Sequence, residues 1–147
     1  MQAPPRAILR RVPVVATWVD GVSVPVDGET LRAVLNRAAS EATRPVVVAL
    51  RSGGAEIDIV VGDSSGTALV YFAPDYLRAA TGSMHSLGDR VAAAADAWEP
   101  PLVADYFTTY TEYPRWSVVP VELGERALRE FLEEPHRAPI SIDWGID

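Results

Sequence analysis

Residue types able to do chemistry are sparse in this chain. His85 and His136 are its two histidines, far apart and without an HxxxH or HxxE pairing. A zinc site needs three or four ligands, so this count argues against metal catalysis. Each histidine reads instead as a loop surface residue. Serines and aspartates are present, but no G-x-S-x-G elbow occurs and Gly82-Ser83 lacks a strand–turn–helix context, so a Ser-His-Asp triad has no local support. Gly53-Gly54 and Gly62-Asp63-Ser64-Ser65-Gly66 read as hairpin turns rather than phosphate cradles, because neither a lysine nor a helix start follows them. Glu56 and Asp58 share one face of a strand, on a surface the alternation assigns to solvent, and glycosidase chemistry needs carboxylates that face each other. Cysteine is absent, which excludes disulfides, thiolate nucleophiles and cysteine-ligated zinc. No enzymatic reading stands above background, and no cofactor is implied.

Binding chemistry is better represented. Tyr106, Tyr110, Tyr113 and Trp116 interleave with Asp105, Glu112 and Arg115, and interface cores are enriched in Tyr, Trp and Arg. In such a strand alternate members face the core, which is the expectation for Phe107 and for Trp144 further on. Tyr110, Glu112 and Trp116, beside the Tyr113-Pro114 corner, are expected to be exposed. Tyr71 and Tyr76 are undecided. Asp105, Tyr110, Glu112, Trp116 and the helix-start Glu122 form the candidate partner-binding set.

Charge supports a protein partner. Residues 1–92 hold nine arginines and nine acids, whereas residues 93–147 hold four and eleven, so 4 − 11 = −7 is the whole net charge. An acidic half argues against nucleic-acid binding, which needs a basic footprint. It suits a basic partner, whose complementary field speeds association, although acidic surfaces also simply keep proteins soluble. The absence of lysine carries no functional conclusion.

The elements that must position these residues follow from pattern. At 147 residues with 48% apolar content the chain reads as one domain over 1–147 with a packed core, residues 1–11 being a loose lead-in. No apolar leader of ~7–15 residues precedes Pro13, and no run approaches the ~20 residues that span a bilayer. A cytoplasmic location without membrane contact is therefore expected. Val12 to Val19, Asp20-Gly21 and Val22 to Val26 read as a hairpin whose second strand is short or at an edge because of Pro25. Asp27 is a plausible cap for a helix over 28–42, with Leu31, Val34, Leu35, Ala38 and Ala42 as its stripe. Pro45 to Arg51 reads as a central strand, followed in an antiparallel meander by Ala55 to Val61 and Thr67 to Ala73. Residues 81–86 read as a loop and 87–98 as a helix, and Leu102 to Tyr110 as one strand. A second amphipathic helix of about four turns follows Val118-Val119-Pro120, with Ala127, Leu128, Phe131 and Leu132 inward. Ile140 to Trp144 closes the chain as a strand. The class is α+β: an antiparallel sheet of about six strands with two main helices packed on it.

The stretch Asp105 to Trp144 also carries a resemblance. Its tyrosine-rich strand, Pro corner, "VPVE…ALREFL" helix and "RAPISIDW" close are similar to the C-terminal signature of immunity protein family 1 of bacterial polymorphic toxin systems. The "TWVDG" hairpin, "ETLRAVLNRAA" helix and "GTALVYF" strand match its layout over nearly the whole chain. The departures are Glu133 to Arg137, where the family more often has a Thr-Gly-containing turn, and a longer Ala-rich segment at Arg90 to Trp98. The motifs are structural and hold no catalytic residue. The resemblance implies an antidote that binds a cognate toxin domain, often a nucleic-acid deaminase, and blocks it. Two rivals from the residues alone are a small α+β ligand-binding or enzymatic domain, and an adaptor that self-associates through Thr67 to Ala73 as an exposed edge.

Overall fold

The computed structural model describes residues 13–73 and 83–146. The expected lead-in over 1–11, Tyr76 and the first residues of the expected loop at 81–86 lie outside them. The element order is β1 (Val15–Thr17), β2 (Val24–Pro25), α1 (Leu31–Glu41), β3 (Val46–Ser52), β4 (Ala55–Val61), β5 (Leu69–Phe72), β6 (Ser83–Leu87), α2 (Arg90–Ala94), β7 (Leu102–Tyr106), β8 (Thr109–Tyr113), α3 (Val121–Glu133) and β9 (Asp143–Ile146). The strands form one sheet in the order β2-β1-β3-β4-β5-β6-β9, with β7 branching from β3 and β8 pairing with β7. Every pairing is antiparallel except β3 with β7, which meet in parallel through Val46 and Asp105.

The α+β class holds, with nine strands among the described residues in place of about six. Two differences add strands and a third shortens a helix. Leu102 to Tyr110 is not one strand: the chain reverses at Phe107-Thr108, both with positive φ (49° and 71°), and returns as β8. A two-residue reversal of this kind normally shows Asn-Gly or Asp-Gly, so Phe-Thr gives no signal. Residues 83–87 form β6 where a loop was expected, because Met84 and Ser86 point into the core while Ser83, His85 and Leu87 do not, a period of two hidden by polar residue types. The helix expected over 87–98 shrinks to α2, with Leu87 in a strand and Asp89 accepting from the Ala92 amide at 2.9 Å as its cap.

The sheet has cover on both faces. On one, Val46, Val48, Leu50, Ile57, Ile59, Leu69 and Tyr71 pack against Leu31, Val34 and Ala38 of α1 and Ala127, Leu128 and Phe131 of α3. On the other, Val47, Val60 and Ala68 pack against Leu102, Ala104 and Tyr113 of the β7–β8 hairpin. This two-sided cover is why β3 reads as an unbroken apolar run. The other motifs serve the same frame. Trp18, 1% exposed, donates from Nε1 to Glu41 at 3.1 Å, which ties the β1–β2 turn to the last turn of α1. Asp27 accepts from the amides of Glu29 and Thr30 while Thr30 Oγ1 accepts from the Asp27 amide, a reciprocal cap ahead of α1. Gly124 lets α3 lie on the sheet, since a Cβ there would sit 2.6 Å from the Thr67 methyl. β5 is interior, between β4 and β6, so residues 67–73 do not offer the exposed edge on which the adaptor reading relied.

Candidate functional site

The β7–β8 hairpin gathers most of the chemistry. Its register pairs Asp105 with Tyr110 and Val103 with Glu112, and side chains of directly paired residues share a face. Leu102, Ala104 and Tyr113 face the sheet and are buried, so Val103, Asp105, Tyr110 and Glu112 face outward. Tyr110 is 56% exposed, and its hydroxyl donates to Glu112 Oε1 at 2.6 Å. That bond, aided by the field of Glu99, holds the Tyr110 hydroxyl above its ordinary pKa. Asp105 is held by Arg44, which donates from Nε at 2.7 Å. The Asp105 amide donates to the Pro45 carbonyl at 2.9 Å.

The candidate partner-binding residues therefore divide into three places. Asp105, Tyr110 and Glu112 come together on the outer face of the hairpin. Trp116 does not join them. It lies in the single-turn helix over Arg115–Ser117, packs over Gly145 of β9, where a Cβ would be 3.4 Å from its ring, and stacks near His85 with ring centroids 6.2 Å apart. It is half-buried rather than exposed, because the Tyr113-Pro114 corner turns the chain back across the sheet. Glu122 is exposed in the first turn of α3, on the helix-covered side. Phe107 is half-buried, edge-on to Tyr106 at 4.7 Å and beneath the Arg51 guanidinium at 5.6 Å. Trp144 is half-buried against Tyr71.

Beneath the hairpin lies a second cluster. Glu56 and Asp58 do share a strand face, but that face is covered rather than solvated. Arg51 donates from Nε to Glu56 at 2.5 Å, and its Nη2 lies 3.5 Å from the Tyr106 hydroxyl. Burial, then the hydrogen bond and the negative charge of Glu56, push the Asp58 carboxyl up to about 9, against a smaller lowering pull from Arg51. Burial and Glu56 thus both favour the protonated Asp58 carboxyl, which can donate to Glu56. Burial also raises the hydroxyls of Tyr106 and Tyr113. A raised carboxyl beside a second acid is the pattern of acid–base chemistry, but chemistry also needs access. Two surface clefts among the described residues lie elsewhere. One of about 280 Å³ runs between α1, α3 and the β4–β5 turn, past Arg32, Asn36, Asp63 and Glu125. Another of about 220 Å³ sits at the end of α3, by Glu130, Arg137 and Ile140. Among the described residues no group of His, Asp and Glu is placed to hold a metal ion. Nor is any helix there long and apolar enough to cross a membrane.

Sequence reasoning gave Arg51 and Glu99 no role, set Asp58 on a solvated strand face, and left Tyr106 outside the partner-binding set. The signal was present in the alternation of Leu102, Ala104 and Tyr106 against Val103 and Asp105. It assigns one inward and one outward face, but only once the reversal at Phe107 is known.

The fold and the hairpin site define a small α+β domain that offers an acidic, aromatic surface on a sheet anchored from both sides. The family model described as Immunity protein Imm1 matches residues 23–145, and the chain belongs to this family. Membership points to an immunity role, with a toxin protein as the partner. No curated protein and no solved structure matches the chain.

Proposed function

We propose that the protein is a cytoplasmic antidote that binds a cognate toxin domain and neutralises it by covering its active site or substrate groove. The observation that carries this reading is the family match over residues 23–145. The contact runs over Asp105, Tyr110 and Glu112. Trp116, packed over Gly145 of β9, and Glu122, in the first turn of α3, stand outside that face. The family resemblance favours a nucleic-acid-modifying toxin of deaminase type. Such a toxin needs a basic groove for its substrate, and an acidic face is the complementary field. A protective interface of standard size buries ~1,200–2,000 Å² in total and draws its affinity from a few buried anchors, here Tyr110 first.

The test is co-expression with the product of the adjacent gene, scoring host survival and co-purification. Rescue with a stable one-to-one complex is expected. An adjacent product that is neither toxic nor bound would remove the antidote reading. The off-rate of the complex should rise with salt if acidic residues face a basic groove.

A further inference from the structure

Three strands, β2, β9 and β8, pair on one side only among the described residues, and β8 is the longest of them. The turn at Phe107-Thr108 has two residues, so the flanking pair Tyr106–Thr109 exchanges both backbone bonds and bonded pairs alternate from there. Ala104–Thr111 and Leu102–Tyr113 are then bonded pairs, and Asp105–Tyr110 and Val103–Glu112 are not. The β7 side verifies this phase, because the Asp105 amide turns away from β8 and donates to Pro45. On the β8 side the amides and carbonyls of Tyr110 and Glu112 turn outward in the same way. No strand among the described residues pairs with that edge.

Edge strands are normally blunted by shortness, proline, lysine or a bulge. β2 follows that rule, being two residues long and containing Pro25. β8 does not. Its sequence, Thr-Tyr-Thr-Glu-Tyr, consists of β-branched and aromatic residues apart from Glu112. Residues 96–113 hold four acids (Asp96, Glu99, Asp105, Glu112) and no arginine or lysine. Arg44 pairs with Asp105 and Arg51 lies over Phe107, which leaves Glu99 and Glu112 as the charges acting on Tyr110 at this edge.

We propose that the toxin docks by adding a strand: an extended segment carrying basic side chains pairs with the open edge of β8. Its main chain bonds Tyr110 and Glu112, and its cations lie over Glu99 and Glu112. Main-chain pairing supplies affinity and the alternate side chains supply specificity. A second copy of this chain fits less well, because pairing two β8 edges would bring like charges together. The inference rests on the antidote reading and specifies its contact.

The experiment compares Glu112→Pro with Glu112→Ala for binding to the co-purified partner. Both remove the carboxylate, but only proline removes the outward amide. That amide makes no bond to β7, so an edge strand tolerates the change, and Thr111 is already in the extended region that a following proline requires. Glu112→Pro is expected to bind about tenfold or more weakly than Glu112→Ala, with far-UV dichroism unchanged. If Glu112→Pro fails to fold, amide exchange at Tyr110 and Glu112 in the wild-type complex decides, and slowing at both is expected. Equal binding by the two variants, or unslowed exchange in a formed complex, overturns strand addition and leaves the antidote reading standing. Failure of the wild-type chain to form any complex overturns both. Protection at these amides that rises with the concentration of the chain alone assigns the edge to a second copy and overturns the proposal.

Discussion

The two faces of the sheet are built on different physics. On the helix face, valine, leucine, isoleucine and tyrosine side chains of β3, β4 and β5 meet two amphipathic helices. On the hairpin face the apolar contact is limited to a few residues of β3, β4, β7 and β8. Next to it lies a cluster of one arginine, two acids and two tyrosines. The first face holds the fold together. The second carries a hairpin joined to the rest of the sheet at one backbone pairing, Val46 with Asp105, and the hairpin is where exposed Tyr110 and Glu112 sit together. A surface meant to meet a partner is better placed on the less heavily packed side, because binding can reorder it without disturbing the core.

If that contrast is right, the largest effect should come from the helix face. Phe131 is fully buried, edge-on to Tyr71 with centroids 6.3 Å apart. Phe131→Ala should cost about 3–5 kcal/mol, a large share of an ordinary domain's stability, read as a shift in the urea midpoint. A loss below about 1 kcal/mol would mean that the helices do not anchor the sheet.

The hairpin face should instead reveal itself through pH. Asp58 keeps its proton up to about 9 in the folded chain, whereas a free aspartate releases it near 3.8. Between those values the folded chain holds one more proton than the unfolded chain. The contribution of Asp58 is therefore complete below the lower value and is lost as pH rises towards the upper one. Asp58→Asn keeps a donor facing Glu56 and cannot ionise. Between pH 5 and 8.5 the wild type should lose more stability than Asp58→Asn by more than about 1 kcal/mol. Parallel stability curves would show that Asp58 is ionised and solvated.

Legibility in the sequence follows the same division. The stripes of α1 and α3, the apolar β3 and the turns at Gly53-Gly54 and Asp63 to Gly66 were readable, because periodic burial and glycine turns leave marks in residue type. β6 was not, since Met-His-Ser hides its alternation. The hairpin was not either, since Phe107-Thr108 adopts a conformation that those residues rarely take. Losing that one reversal kept Asp58 and Glu56 on a solvated surface, and the packing of Trp116 over Gly145, which half-buries it, had no mark in the sequence. The class of binder was legible and the geometry of the surface was not.

The turn yields a smaller prediction of opposite sign. Thr108 is β-branched with φ at 71°, a region that costs such residues about 1–2 kcal/mol. Thr108→Gly should therefore stabilise the protein by about 1 kcal/mol after glycine's extra unfolded-state entropy is subtracted. A destabilised Thr108→Gly would mean that the side chain earns its position through contacts that outweigh the strain.

The smallest expected effect concerns how the hairpin is tied down. Arg44 meets Asp105 at 2.7 Å beside the one backbone pairing between β3 and β7. Its side chain is 60% exposed and that of Asp105 22%. Exposed ion pairs contribute about 0–1 kcal/mol and are screened by salt. One oxygen of Asp105 is enclosed without a hydrogen-bond partner, so removing the arginine leaves a partly desolvated carboxylate with less compensation. Arg44→Ala should then cost about 1 kcal/mol at low salt, the upper end of that range, and less at high salt. The readout that separates tether from packing is local: amides of residues 102–113 should exchange faster in Arg44→Ala while those of β4 do not change. Equal acceleration in both regions would mean that Leu102, Ala104 and Tyr113 hold the hairpin as firmly as the helices hold the other face.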